Sequence, residues 1–344
     1  MTHPLPPPPA LSPYGADANG MVCGYRFVPD APPQPIPTID AAEAALHAPA
    51  DGFVWLHFNL SHAQAEAWLR QHADLSENFF ETLHQGSRST RIERDGDAFF
   101  AVMNDVTFDF GFDADDVATL WVSVRRHLVV SARRQPLRSV DRLRTAVKRG
   151  QPLDGSVALL DHLLSDQADE LQRIIRQATE RIDDIEDILL TGRHGRHDAD
   201  LARLRRLMGR LQRLLTPEPS ALARTLARPP QWIGPADRER LLHASEEFGL
   251  VLRDIAALQE RIKLMQDENA ARRAEESNRT LFMLTMVTVL ALPINLIAGL
   301  LGMNVGGIPL ANHAEGFWIV IGVIGALTAM LSFVTIRRIR RRTD

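Results

Sequence analysis

Residues 280–304 read TLFMLTMVTVLALPINLIAGLLGMN, and the first 22 of them, Thr280 to Leu301, carry no charge. About 20 apolar residues in a helix span the hydrocarbon core of a bilayer. The run is not uniformly apolar. Asn278, Leu281, Thr285, Thr288, Leu292, Asn295, Gly299 and Gly302 follow at steps of three or four, so a helix places them on one face. Asp267 and Ala274 extend that stripe upstream. Amide and hydroxyl groups in hydrocarbon cost free energy unless they are paired or wet. Two environments satisfy such a stripe: a water-filled axis, or interhelical hydrogen bonds within a bundle. Pro293 loosens the helix locally.

A second uncharged run, Gly316 to Ile336, follows after a short loop. Its Gly322, Gly325, Ala326 and Ala329 permit close backbone packing, as in an outer, supporting helix. Two core helices of a soluble protein would need similar segments upstream to bury them on all sides, and the chain has none. Arg272, Arg273 and Arg279 precede the first run, and Arg337, Arg338, Arg340, Arg341 and Arg342 follow the second. The loop from Gly302 to Glu315 has no Lys or Arg. An excess of cationic side chains marks the cytoplasmic side. The expectation is a multi-pass protein of the cell inner membrane, both termini cytoplasmic and the loop outside.

From Pro235 the chain keeps helical periodicity into the first span, with no further proline before Pro293. Leu241, Leu242, Phe248, Val251, Leu252, Ile255, Leu258, Ile262 and Met265 form an apolar stripe. A helix from there through Leu301 would be roughly 100 Å long at 1.5 Å per residue. Its stripe requires self-association or packing against other helices. Two more helices are predicted, over about Ser156–Leu190 and Asp198–Leu215, separated by TGRHGRH. Asp183, Asp184, Glu186 and Asp187 lie near the end of the first, where the macrodipole disfavours them. They read either as a solvated acidic face or as a patch that attracts cations.

Met21 to Arg134 reads as mixed α/β. FVWLHFNL (53–60) is a buried strand, and TRIERDGDAFFAVMNDVTF (90–108) a hairpin turning at Asp95-Gly96. VATLWVSVRRHLVVSARR (117–134) is a second hairpin turning near Arg126, while AQAEAWLRQHA and SENFFETLH are short helices. The expected organisation is a disordered Pro-rich tail (1–20), a cytosolic α/β domain (21–155) and a long-helix stalk (156–279). The first span (280–301), an external loop (302–315), the second span (316–336) and a basic cytoplasmic tail (337–344) complete it. The start, MTHPLPPPPALSPYG, lacks the basic and apolar regions of a secretory signal.

With a net charge of −4 the bulk composition makes no case for a nucleic-acid partner. One cysteine, Cys23, excludes an internal disulfide and a multi-cysteine zinc cage. His57, His62, His72, His84, His127, His162 and His243 are scattered; His194 and His197 are three apart but sit in a Gly-containing turn rather than on a clear helix, and a zinc site usually shows denser His, Cys and carboxylate spacing. No phosphate-cradling Gly-rich loop or nucleophile elbow is present, so neither an enzyme nor a cofactor is expected.

The stretch GLLGMNVGGIP (Gly299–Pro309), after LPINLIAG and before a second span and a basic tail, resembles the CorA family of divalent-cation transporters. Gly302-Met303-Asn304 matches the family's motif. Its continuation, Val305-Gly306-Gly307-Ile308-Pro309, is similar to the ZntB zinc-transporter branch rather than the magnesium branch. The resemblance implies a funnel-shaped homopentamer. An α+β cytosolic domain is followed by very long stalk helices and two C-terminal transmembrane helices, the first lining the pore. By position, Asn304 stands at the outer entrance, with Asn295, Leu292, Thr288, Thr285 or Leu284, Leu281 and Asn278 descending toward the cytosol. Asp267 and His243 fall where relatives carry cation-sensing or lining residues, His243 replacing a magnesium-branch carboxylate.

The implied partners are other copies of the chain, the lipid bilayer, divalent cations with zinc favoured, and protons as a candidate coupling ion. Neither span contains a carboxylate, so a bare dication finds no charged ligand there. Magnesium-like ions give up water reluctantly. Amide oxygens of Asn304 and Asn295 suit the waters of a still-hydrated ion. Leu281, Leu284 and Leu292 suit apolar constrictions that close by dewetting. A potential negative inside favours inward movement of a dication by roughly 4.6 kcal/mol per 100 mV. A magnesium, cobalt or nickel channel of the same family, and a membrane-anchored coiled-coil scaffold without transport, are the competing readings.

Overall fold

The computed structural model describes residues 17, 19–48, 52–85, 90–190, 197–303 and 314–343. The strands are β1 (Met21–Phe27), β2 (Gln34–Pro35), β3 (Phe53–Asn59), β4 (Arg91–Asp95), β5 (Ala98–Val106), β6 (Val117–Val124) and β7 (Leu128–Arg133). The helices are α1 (Ile39–His47), α2 (Ala63–His72), α3 (Glu77–Gln85), α4 (Arg138–Lys148), α5 (Ser156–Leu190), α6 (His197–Leu215), α7 (Pro217–Leu226), α8 (Pro235–Leu301) and α9 (Gly316–Thr343). The chain divides into two compact units, Met1–Gln266 and Asp267–Asp344.

In the first unit a seven-stranded sheet has the order β2-β1-β3-β7-β6-β5-β4. Only β3 and β7 pair in parallel; the remaining neighbours are antiparallel. Helices cover both faces. Phe53, Trp55, Phe99, Ala101 and Met103 join the core built with α4, α5 and α7. Val54, Leu56, Phe58, Phe100 and Val102 point the other way, into the core with α2 and α3. Burial on both faces is why β3 and β5 read as near-continuous apolar runs rather than alternating ones. Both expected hairpins are present. The first turns at Gly96-Asp97, one residue later than the sequence suggests, because Asp95 still pairs with Ala98. Gly96 takes the left-handed φ of +61° that this turn needs.

The expected stalk helices match closely, with α6 beginning at His197 rather than Asp198. Phe248, Val251, Ile255, Leu258, Ile262 and Met265 are buried with Leu171, Ile174, Ala178 and Ile182 of α5 and Leu204, Leu207 and Leu211 of α6. The apolar stripe of this part of α8 is therefore covered from within the chain, which removes the need for self-association there. The short α1, α4 and α7 escape the sequence reading. α4 buries only Ser139, Val140, Leu143 and Val147 of its 11 residues, too brief a period to stand out.

The scattered histidines include one buried structural group. His57 is fully buried, with Nδ1 2.8 Å from Ser131 Oγ, while Arg133 Nε donates to Nε2 at 3.1 Å. Burial, and then the Arg133 charge, push its pKa well below the usual histidine range, so it stays neutral.

Gly52 meets the tightest backbone approach of the fold's turns. Its φ is +103°, and a Cβ there would lie 1.9 Å from the Phe27 carbonyl oxygen. Gly52→Ala is expected to destabilise the first unit by more than about 1 kcal/mol. A thermal melt of the purified protein checks this, and an unchanged midpoint contradicts it.

Candidate functional site

In the second unit the stripe predicted on α8 is an open face. Asn278, Leu281, Leu284, Thr285, Thr288, Leu292 and Asn295 are all exposed, as is Asp267 upstream. The half-buried positions are Met286, Leu290, Ala291, Pro293, Ile294, Ile297 and Leu301, which form a different face of the same helix. Phe282, Met283, Val287, Val289, Leu296 and Leu300 are exposed as well, so it is the helical spacing of the polar groups, and not their exposure, that sets the stripe apart.

The stripe's hydroxyls have a defined orientation. Thr285 Oγ1 donates to the Leu281 carbonyl at 2.8 Å, and Thr288 Oγ1 donates to the Leu284 carbonyl at 2.9 Å. Each hydroxyl spends its only proton on its own helix, a bond characteristic of mid-helix threonine. What remains outward is the oxygen lone pairs. With no Asp, Glu, Lys or Arg between Thr280 and His313, the face offers acceptor oxygens without formal charge. Such a surface suits water molecules or the water shell of a cation better than an anion.

The helix ends where its first glycine-rich turn begins. Gly302 donates its amide to the Ala298 carbonyl at 3.0 Å. A Cβ at Gly302 would stand 3.1 Å from that same oxygen, so glycine relieves crowding at the helix end. Gly299 has open space around it and no steric requirement within the chain. Met303 is exposed, and Asn304, the motif's third residue, lies outside the described residues with the loop to His313.

The other predicted sites separate. His243 is on α8 in the first unit, its side chain 71% exposed and its Nδ1 3.6 Å from Glu247 Oε1. Asp267 belongs to the second unit. No group of three His, Cys, Asp or Glu among the described residues is arranged to hold a metal. His194 also lies outside the described residues, and His197 is the first residue of α6. Within the acidic cluster, Arg261 of α8 reaches Asp183 at 2.7 Å and Glu186 at 2.5 Å. The hydrogen bonds it donates, first to Glu186 and then to Asp183, raise the guanidinium's pKa. Half of the cluster therefore ties α5 to α8, while Asp184 and Asp187 remain exposed.

One titratable centre gave no sequence signal. Glu218, in the first turn of α7, is 1% exposed. Its Oε2 lies 3.5 Å from Thr90 Oγ1, and Asn104 Nδ2 donates to that hydroxyl at 3.3 Å. Gln167 of α5 donates to the Asn104 carbonyl at 2.7 Å. Burial, reinforced by the Asp105 charge, pushes Glu218 up to about 8.

The chain as a whole is similar to known proteins. A family model, the CorA-like Mg2+ transporter protein, matches residues 50–338. The chain belongs to this family. Its members are ion transporters, not enzymes, and this protein is a divalent-cation transporter of the CorA type. Among its CorA-family relatives, the divalent cation transporter CmaX of Pseudomonas aeruginosa is 29% identical over 292 residues, 83% of this chain and 87% of that one. The zinc transport protein ZntB of Yersinia enterocolitica is 26% identical over 270 residues, 78% of this chain and 82% of that one. The solved structure of full-length CmaX superposes with a TM-score of 0.76 at 27% identity, covering 94% of this chain and 99% of that one. The complete CorA magnesium transporter of Methanocaldococcus jannaschii gives a TM-score of 0.74 at 20% identity over 91% of this chain and 96% of that one, a likeness of fold.

As expected for a CorA-type membrane transporter, α8 contains a window long and apolar enough to cross a bilayer, with mean hydropathy 2.2. The described apolar part of α9, Gly316–Met330, is shorter than that. α9 as a helix covers the whole of the second expected span and continues through the basic residues to Thr343.

Proposed function

We propose that this CorA-type transporter carries divalent cations, zinc first among them, inward across the inner membrane through a pore shared by five identical copies. The observation that supports the reading is the stripe of neutral polar groups that helical spacing places on one face of α8. Thr285, Thr288 and Asn295 offer acceptor oxygens that no formal charge accompanies, and Leu281, Leu284 and Leu292 interrupt them with apolar rings. Repeated around an axis, the oxygens would hydrogen-bond the water shell of a dication, and the leucines would hold a dry constriction until the pore widens. Gly302, Met303 and Asn304 would then form the outer mouth, with Asn278 and Asp267 toward the cytosol. α9 would supply the second crossing and keep both termini inside. The membrane potential alone would favour entry, and protons are the candidate coupling ion.

Zinc ranks ahead of magnesium because the run Asn304-Val305-Gly306-Gly307 is like the ZntB branch and a relative named for zinc transport aligns over most of the chain. Magnesium is the second reading, favoured by the description of the matching family model. The test is ion entry into liposomes holding the purified protein, with Zn²⁺ and Mg²⁺ compared and the pH of one side varied. Zn²⁺ entry that grows with an inward proton gradient is the expected result. Mg²⁺ entry without any Zn²⁺ response overturns the zinc assignment, and entry of neither ion overturns both and turns the assay to cobalt and nickel.

A further inference from the structure

α6 carries Arg203, Arg205, Arg206, Arg210 and Arg213 and, past its first turn, no carboxylate. Arg206, Arg210 and Arg213 are spaced i, i+4, i+7, so three like charges share a helix face and repel one another. A groove of about 820 Å³ opens there, lined by Arg205, Arg206, Arg210 and Arg213 with Gly209 and with Gln259 of α8. None of its lining residues is Asp or Glu.

Several arginines elsewhere in the first unit are each held by two carboxylates. Arg70 is shared by Glu66 and Glu77, Arg142 by Asp166 and Asp169, and Arg261 by Asp183 and Glu186. In the groove only Arg210 reaches a carboxylate, Asp115 at 3.1 Å, which is itself 89% exposed. Arg205 donates to the neutral amide oxygen of Gln266 at 2.8 Å. Arg206 and Arg213 meet no carboxylate among the described residues. Four guanidinium groups thus line one surface with a single, exposed carboxylate, Asp115, set against them among the described residues, which leaves room for an anion from outside.

We propose that this groove binds a small polyphosphate anion of the size and charge of a nucleoside triphosphate. Planar guanidinium forks match phosphate oxygens two at a time, which a single spherical anion does not exploit. The volume falls in the range of about 300–1,000 Å³ usual for small-molecule sites. Gly209 keeps the floor open, since a Cβ there would meet only Gln259 Nε2, at 3.5 Å. The inference does not rest on transport, and its test reads binding rather than flux.

Isothermal titration of the purified full-length protein in detergent, without divalent metal, is the measurement. The probes are ATP, inorganic triphosphate and, at matched ionic strength, sulfate. ATP and triphosphate are expected to bind far more tightly than sulfate. Equal affinity for the first two assigns the site to the phosphate chain, and preference for ATP adds the base; both uphold it. Arg206→Gln with Arg213→Gln is expected to weaken binding at least about tenfold, the effect of losing one or more charge-assisted hydrogen bonds. Arg149→Gln, at an exposed arginine outside the groove, is expected to change nothing. Gly209→Glu places an acid in the groove while favouring the helix, and is expected to abolish binding in a folded protein even where the double variant fails to fold. No binding of ATP or triphosphate, retention of binding in Gly209→Glu, or an equal loss in Arg149→Gln would each overturn the proposal.

Discussion

Asn304→Ala is expected to reduce divalent-cation entry into liposomes by at least about tenfold while the purified protein keeps its oligomeric size. The reason is the shortage of alternatives. Between Thr280 and His313 there is no carboxylate, so a hydrated dication meets only neutral oxygens. Asn304 is the first side-chain amide after α8 ends, and Asn295 is the next one down the stripe. A hydrogen bond to a charged partner contributes about 1.5–3 kcal/mol, and a factor of ten corresponds to about 1.4 kcal/mol. In the proposed pore, losing that amide from every copy would remove more than one such bond at the entrance. Oligomeric size separates a loss of flux from a loss of assembly. Flux equal to that of the parent, in a variant of unchanged size, would move the selectivity element elsewhere.

Glu218→Gln is expected to stabilise the first unit at alkaline pH and to remove a slope from its stability profile. The folded state holds Glu218 protonated up to about pH 8, against an ordinary value of 4.5. Between those limits the folded protein keeps a proton that the unfolded chain has released, so stability falls as pH rises. Each pH unit in that window costs about 1.4 kcal/mol, giving a total of a few kcal/mol. Geometry agrees with the protonated form. Glu218 Oε1 and Gln167 Oε1 are both buried acceptors without a hydrogen-bond partner. A carboxylic acid proton, or the amide N–H of a glutamine, supplies the missing donor. Asp105, the other carboxylate near this centre, takes its hydrogen bonds from the Ser139 amide and hydroxyl and the Val106 amide. The check is thermal unfolding of parent and variant across the window. A parent midpoint that stays level from one end to the other would refute the buried acid.

The comparison of Glu218 with Asn295 shows where sequence reasoning reaches and where it stops. Asn295 is conspicuous because it stands in an apolar run, and a helical period then assigns it a face. Glu218 stands in TPEPSALARTL, a stretch that reads as an ordinary helix start with proline in its first turn. Its burial comes from Thr90, 128 residues earlier, and from the arrival of α5 with Gln167. No local pattern encodes such a meeting. The acidic cluster 183–187 shows the same limit: its charges are evident, but Arg261, which engages Asp183 and Glu186, lies 75 residues from Glu186.

By itself the sequence determined the periodic features: the boundaries of α5 and α8, the two hairpins, the membrane-length run and the face that carries its Thr and Asn side chains. These follow from near-neighbour spacing, because helix and strand geometry repeat every few residues. Only the tertiary structure decided which apolar stripe is covered from within the chain, in what order seven strands pair, and which charges find partners. Those outcomes depend on contacts between residues far apart in sequence, whose free energies exist only once the elements have packed. The upper part of α8 is satisfied by α5 and α6, while its polar face in the second unit is left open. The first stretch is held from within the chain, whereas the uncharged stretch leaves polar and apolar side chains alike without cover from this chain.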